Sequence, residues 1–96
     1  MMRSILATTG AMLILSTPLF ADDPYNQGYS FGYQAGRDFC NGQRSVPRHS
    51  PQVDQFLAGC KDGFLKAIDD NSMCRASLSP THLWDDMMNY RSKTCS

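Results

Sequence analysis

Apolar residues recur with the period of an α-helix in three stretches of this chain. In the middle stretch, Val53, Phe56, Leu57, Cys60, Phe64, Ala67 and Ile68 share one face. Gln55, Asp62, Lys66 and Asp69 share the opposite one, as in a helix lying on a core. Asp62 and Lys66 have the i, i+4 acid-before-base spacing that supports a helix, and the stretch ends near Asp70-Asn71. The last stretch gathers Leu83, Trp84, Met87, Met88 and Tyr90 on one side, with His82, Asp85, Asp86 and Asn89 on the other. Leu78 and Leu83 have the spacing of a hydrophobic staple at its start. Each stretch opens with a proline after a residue able to cap: Asp23-Pro24, Ser50-Pro51 and Ser79-Pro80.

The first stretch carries two patterns at once. Tyr25, Tyr29, Phe31, Gly32, Tyr33, Ala35, Gly36 and Phe39 fall on one broad helical face, with Asn26, Gln27, Ser30, Gln34, Arg37 and Asp38 opposite. Tyr29, Phe31, Tyr33 and Ala35 also alternate, as a strand would. Each interior glycine costs a helix about 1 kcal/mol relative to alanine. The helical period nonetheless orders the whole segment and the strand period only part of it, so helix is the reading taken. A repeat supports it: Tyr25-x-x-Gly28-Tyr29-x-x-Gly32-Tyr33-x-x-Gly36 recurs as Phe56-x-x-Gly59-Cys60-x-x-Gly63-Phe64-x-x-Ala67, offset by 31 residues throughout. Small residues four apart line one helix flank and admit close backbone approach. The fold class that follows is all-α: a small three-helix domain whose first two helices form an antiparallel glycine-rich hairpin. A glycine flank open to a partner's helix is the alternative. Gly42 to Pro51 reads as a polar loop, and Asn71 to Ser79 as a connection.

The residues ahead of Asp22 change the context. Arg3, an apolar run from Ile5 to Leu15, a break at Thr17-Pro18 and a small residue at Ala21 have the order of a secretory leader. The run is too short for a span of about 20 apolar residues. Residues 1–21 are therefore expected to be a signal peptide, and residues 22–96 a single domain, periplasmic or secreted, with no membrane span after cleavage.

Charge removes one class of partner. Nine Lys and Arg stand against nine acidic residues, all of them Asp, without the basic surplus that phosphate backbones require, so nucleic acid is not expected. Catalysis finds little footing either. Glu is absent, and Asp69-Asp70 and Asp85-Asp86 are sequence neighbours whose side chains diverge on a helix. Neither a nucleophile elbow nor a phosphate loop occurs. His82 and Asp86, at i, i+4, are two potential ligands and not a metal site. The reading is a non-enzyme without a cofactor.

Four cysteines in a short exported chain, Cys40, Cys60, Cys74 and Cys95, predict two disulfides. No Cys-x-x-Cys pair points to redox chemistry. Three connectivities are possible, and spacing does not select among them. An up-down-up order of helices would favour Cys40–Cys95 with Cys60–Cys74. The residues suited to partner contact are Trp84, Met87 and Met88 by residue type, with Trp84 and Met88 at the flank of their helical arc, and Arg44, Arg48 and His49 in the first loop as a basic cluster that could meet an acidic partner or an anionic envelope polymer.

Phe56-x-x-Gly59-Cys60-x-x-Gly63, then Cys74, then Ser79-Pro80-Thr81-x-Leu83 and Cys95 resemble the periplasmic immunity proteins that protect bacteria from type VI secreted amidases. Cys60 stands where that pattern more often carries an aromatic. The resemblance implies a small, exported, helical, disulfide-bonded protein that blocks a cell-wall enzyme by binding it. The competing expectation is a self-associating structural or stress-related envelope protein that uses the glycine flank.

Overall fold

The computed structural model of the chain describes residues 23–49 and 53–96. The expected leader and residues 50–52 lie outside the described residues, but the second helix does not start at Pro51 as expected: Val53 is extended (ψ 164°) and the helix begins at Asp54. Four helices are present among those described, and the all-α class holds: α1 (Pro24–Cys40), α2 (Asp54–Asp70), α3 (Ser72–Ser77) and α4 (Thr81–Thr94). α1 starts as its sequence predicts, with Pro24 in the first turn and the Asp23 carboxylate accepting from the Asn26 N–H at 2.8 Å. α4 starts one residue later than expected. Pro80 remains extended (ψ 136°) and occupies the capping position itself, its carbonyl accepting from the Leu83 and Trp84 N–H groups at 3.0 and 3.1 Å. The additional helix, α3, arises at Asn71. That residue ends α2, and its side chain then caps α3 by accepting from the Cys74 N–H at 3.0 Å.

The hairpin expectation is corrected: α1 and α2 pack side by side in parallel. Gly28 lies against the Phe56 carbonyl, Gly32 against Cys60 and Gly36 against Phe64, so both residue numbers climb together. In return, Gly59 lies against the Tyr25 carbonyl and Gly63 against that of Tyr29. Subtracting the repeat offset turns the second set of contacts into the first. The repeat is therefore a pseudo-two-fold interface, in which each glycine faces the carbonyl three residues earlier in the other copy. A Cβ at Gly28, Gly32, Gly59 or Gly63 would overlap that carbonyl oxygen, and at Gly36 it would come within 2.7 Å of Phe64 O and 2.8 Å of the Ala67 Cβ. Hydrogen in its place lets Cα–H groups face carbonyl oxygens, contacts of about 0.5–1 kcal/mol each. The glycine flank is thus filled by the other helix of the same chain and offers no groove to a partner.

A parallel pair needs a chain return, and the connection is long enough. A helix of 17 residues is about 25 Å long, while residues 41–53 can extend to about 40 Å. Gly42, at φ +101°, turns the chain out of α1. The following strap is anchored at points along its course. The Ser45 carbonyl accepts from the Tyr90 hydroxyl at 2.7 Å. Further on, the His49 ring sits 5.0 Å from Phe31 and 5.7 Å from Phe56, centroid to centroid. Its Nε2 lies 3.0 Å from the Thr94 carbonyl oxygen, to which only a protonated Nε2 can donate.

α4 runs back antiparallel across one face of the α1–α2 pair. Tyr90 meets Phe39 and Phe64 at centroid distances of 5.1 and 5.9 Å, and Arg91 Nε donates to the Lys61 carbonyl at 3.1 Å. Ala35, Phe39, Phe64, Ile68, Leu78, Met87 and Tyr90 form the buried core between them.

The disulfides are Cys40–Cys74 and Cys60–Cys95, which corrects the pairing favoured by an up-down-up order. In a parallel pair, Cys40 and the end of α2 lie at the same end, so one turn of α3 brings Cys74 to Cys40. The reversed α4 then carries Cys95 back to Cys60 at the middle of α2. The two bridges differ in access. Cys60 and Cys95 are 0% and 1% exposed, whereas Cys40 and Cys74 are half-buried. Thiol–disulfide exchange needs a thiolate to reach a sulfur atom. Graded reduction of folded protein followed by alkylation is expected to label Cys40 and Cys74 first; simultaneous labelling of all four would contradict this ordering.

Candidate functional site

α4 buries Met87, Tyr90 and Thr94. One helical step to the side, Trp84, Met88 and Arg91 follow one another at i, i+4 and i+7 and are each half-buried. Trp84 and Met88, with Leu65 of α2 and Leu83, pack on the edge of the core without being enclosed by it. Arg75 reaches across from α3, its guanidinium carbon 4.9 Å from the Trp84 ring centroid. It also pairs with Asp69, both partners exposed. Arg75, Leu78, Ser79, Thr81 and Trp84 line a groove of about 480 Å³. The Cys40–Cys74 bridge ties α3, which buries none of its own residues, to the end of α1.

The expected contact residues separate. Trp84 and Met88 sit together at this edge. Met87 does not join them: it is 0% exposed, because it lies at the centre of α4's buried face. Arg44 is folded back, its guanidinium carbon 3.8 Å from the Phe39 ring centroid and its Nη1 donating to the Phe39 and Gln43 carbonyls at 2.9 Å each. Arg48 is exposed. His49, inserted between Phe31 and Phe56, belongs to the packing, so the loop cations do not act as one cluster. Arg75 and Arg91 were not singled out by composition. The legible signal for Arg91 was its i+7 position from Trp84, whereas Arg75 meets Trp84 only through the α3 turn.

A second surface lies on the far side of the α1–α2 pair from α4. Tyr25, Tyr29 and Tyr33 follow one another along α1 with ring centroids 6.2 and 6.5 Å apart. The hydroxyls of Tyr25 and Tyr33 donate to the carboxylates of Asp62 and Asp70 at 2.6 Å each. Asp62 is thus engaged by Tyr25, and Lys66 pairs with Asp70 at 2.9 Å instead of with Asp62. Hydrogen bonds from Tyr33 and Lys66 hold Asp70 below the ordinary carboxylate range. The bond to Asp70 raises Tyr33, against a weaker opposing effect of Arg37 and Lys66, and the bond to Asp62 raises Tyr25.

Among the described residues no group of three or more His, Cys, Asp or Glu is placed to hold a metal ion, and no helix is long and apolar enough to cross a membrane. Neither a protein-family model, nor a curated protein, nor a solved structure matches this chain.

Proposed function

We propose that this chain is an exported binding protein that acts by protein–protein contact in the cell envelope, and that Trp84 is the centre of its contact surface. The observation that carries the reading is the Trp84–Arg75 pair, a half-buried indole under a guanidinium beside an open groove. Trp and Arg dominate interface hot spots because they bury large area and still present polar edges. Two disulfides suit an oxidising compartment, and a cross-linked scaffold lowers the ordering cost of binding. The resemblance carried by Phe56 to Cys95 narrows the role to an immunity protein that occludes a cell-wall amidase; on this reading the chain performs no catalysis.

Affinity capture from an envelope extract is expected to recover one partner on wild-type protein. Trp84→Ala should weaken that complex by about thirtyfold, a loss of about 2 kcal/mol, with helix content unchanged by circular dichroism. If the recovered partner is a peptidoglycan amidase, wild-type protein should inhibit it and Trp84→Ala should not. Equal capture by both proteins would exclude Trp84 as the centre.

A further inference from the structure

The pseudo-two-fold relation of α1 and α2 gives their pair two equivalent faces, and the described residues fill one of them. The filled face is lined by Phe31, Ala35 and Phe39 with Phe56, Cys60 and Phe64, and α4 and the strap lie across it. The repeat offset converts these residues into Asp62, Lys66 and Asp70 with Tyr25, Tyr29 and Tyr33. The backbone frame is shared, and every ring in the row has kept its place while gaining a hydroxyl or replacing a cysteine. Across the seam, two phenylalanines and an alanine have become two carboxylates and an ammonium.

From this juxtaposition we infer that the Tyr25–Tyr29–Tyr33 row, with Asp62, Lys66 and Asp70, is a binding site for an extended, uncharged glycan strand. Such a ligand presents two kinds of surface: C–H faces, which stack on aromatic rings, and hydroxyl groups, which hydrogen-bond with carboxylates and ammonium. The face supplies both in alternating rows. An apolar helix, the occupant of the equivalent face, would strip water from Asp62, Lys66 and Asp70 and return nothing to them. A polyanion is disfavoured because Asp62 and Asp70 stand among Lys66, Arg37 and Arg91 and would repel it.

Geometry supports a strand and not a single sugar. The rings follow one another along α1, the Tyr29 and Tyr33 planes 18° apart and Tyr25 tilted by 40° from Tyr29. Hydrogen bonds to α2 hold the outer two rings across the glycine seam. Tyr25 is 38% exposed and the other two are half-buried, as for a ring with one side on the protein and one toward water. The row leads into a depression of about 390 Å³ lined by Tyr33, Arg37, Asp70, Asn71, Ser72 and Met73. Met73, 81% exposed, stands at its rim. A β-1,4-linked chain is extended and can follow rings spaced along one helix, whereas an α-1,4-linked chain curves away from them.

The tyrosine row does not include Trp84, although Arg91 lies within electrostatic reach of Asp62, and its test does not depend on the Trp84 proposal. Isotope-labelled protein is titrated with a β-1,4-linked N-acetylglucosamine tetramer, and amide shifts are followed. Shifts are expected at Tyr25, Tyr29, Tyr33, Asp62, Lys66 and Asp70, and not at Trp84. Tyr29→Phe should bind as wild type, because a ring face remains. Tyr29→Leu keeps apolar bulk without a flat ring and should bind about tenfold more weakly. Absence of shifts at millimolar ligand would overturn the assignment, as would equal binding by Tyr29→Leu or equal binding of an α-1,4-linked glucose tetramer. Ligand-free self-association in sedimentation that disappears in Tyr29→Leu would overturn it too, and would identify the face as a contact between copies.

Discussion

Gly32→Ala should unfold this domain at a temperature about 15 °C below wild type, although alanine is the better helix former. In an exposed helix the exchange would stabilise by about 1 kcal/mol. Here the added methyl would overlap the Cys60 carbonyl oxygen and press on its carbon and Cα. Overpacking usually costs about 1–3 kcal/mol, and it is partly relieved when a side chain can change rotamer. Backbone cannot, so α1 and α2 must separate along their length and loosen the contacts on either side. A net loss near 3 kcal/mol lowers the melting temperature of a domain this size by the stated amount. Ala58→Gly, at an exposed position on α2, is the control: it should cost only about 1 kcal/mol. Thermal unfolding of the two variants checks the contrast. A Gly32→Ala protein as stable as wild type would mean that the parallel backbone contact is not formed.

The second large effect belongs to the buried bridge. Replacing Cys60 and Cys95 together with alanine is expected to cost more than replacing Cys40 and Cys74 together. The sequence separations, 35 and 34 residues, are nearly equal. Loop-closure entropy therefore gives each bridge about 4 kcal/mol, and any difference must come from the folded state. Cys60 and Cys95 lie among fully enclosed atoms, so removing two sulfurs also leaves a cavity whose lining loses its contacts. The half-buried Cys40–Cys74 pair leaves space that water can fill, and its loss mainly frees α3. Urea unfolding of both double variants measures the difference. A larger loss at Cys40–Cys74 would show that the tie to α3 carries more of the fold than the core does.

The path of the chain explains why some features were legible beforehand and others were not. Helical periodicity identifies α2 and α4 because a helix must turn one stripe toward a core, and the stripe is written in Phe56, Cys60, Phe64 and Ile68 without reference to a partner. The same holds for α1 once its glycines are recognised as contact positions. A stripe records which side is buried and not which way the neighbour runs, so antiparallel and parallel pairs share one pattern. The connection offered a hint: antiparallel neighbours are commonly joined by 2–8 residues, and residues 41–53 exceed that. Direction in turn decides the disulfides. Cys40 meets Cys74 only because both helices end at the same level, a relation set by the return strap.

The functional surfaces divide in the same way. Helical projection already places Trp84 and Met88 on the flank of their arc, whereas the complete burial of Met87 follows only from the core packed around α4. The tyrosines of α1 were legible as a helical face, and their carboxylate partners were not. Asp62 and Lys66 form a pair by local spacing, yet Tyr25 takes Asp62 and Lys66 turns to Asp70. By itself, then, the sequence determined the three long helices but not α3, together with the small-residue flank and the presence of four cysteines in a short chain. The tertiary structure alone decided the direction of α2, the pairing of the cysteines and which polar side chains face the tyrosine row. Periodicity is a property of neighbours along the chain, whereas those outcomes depend on which end of one helix lies beside which end of another.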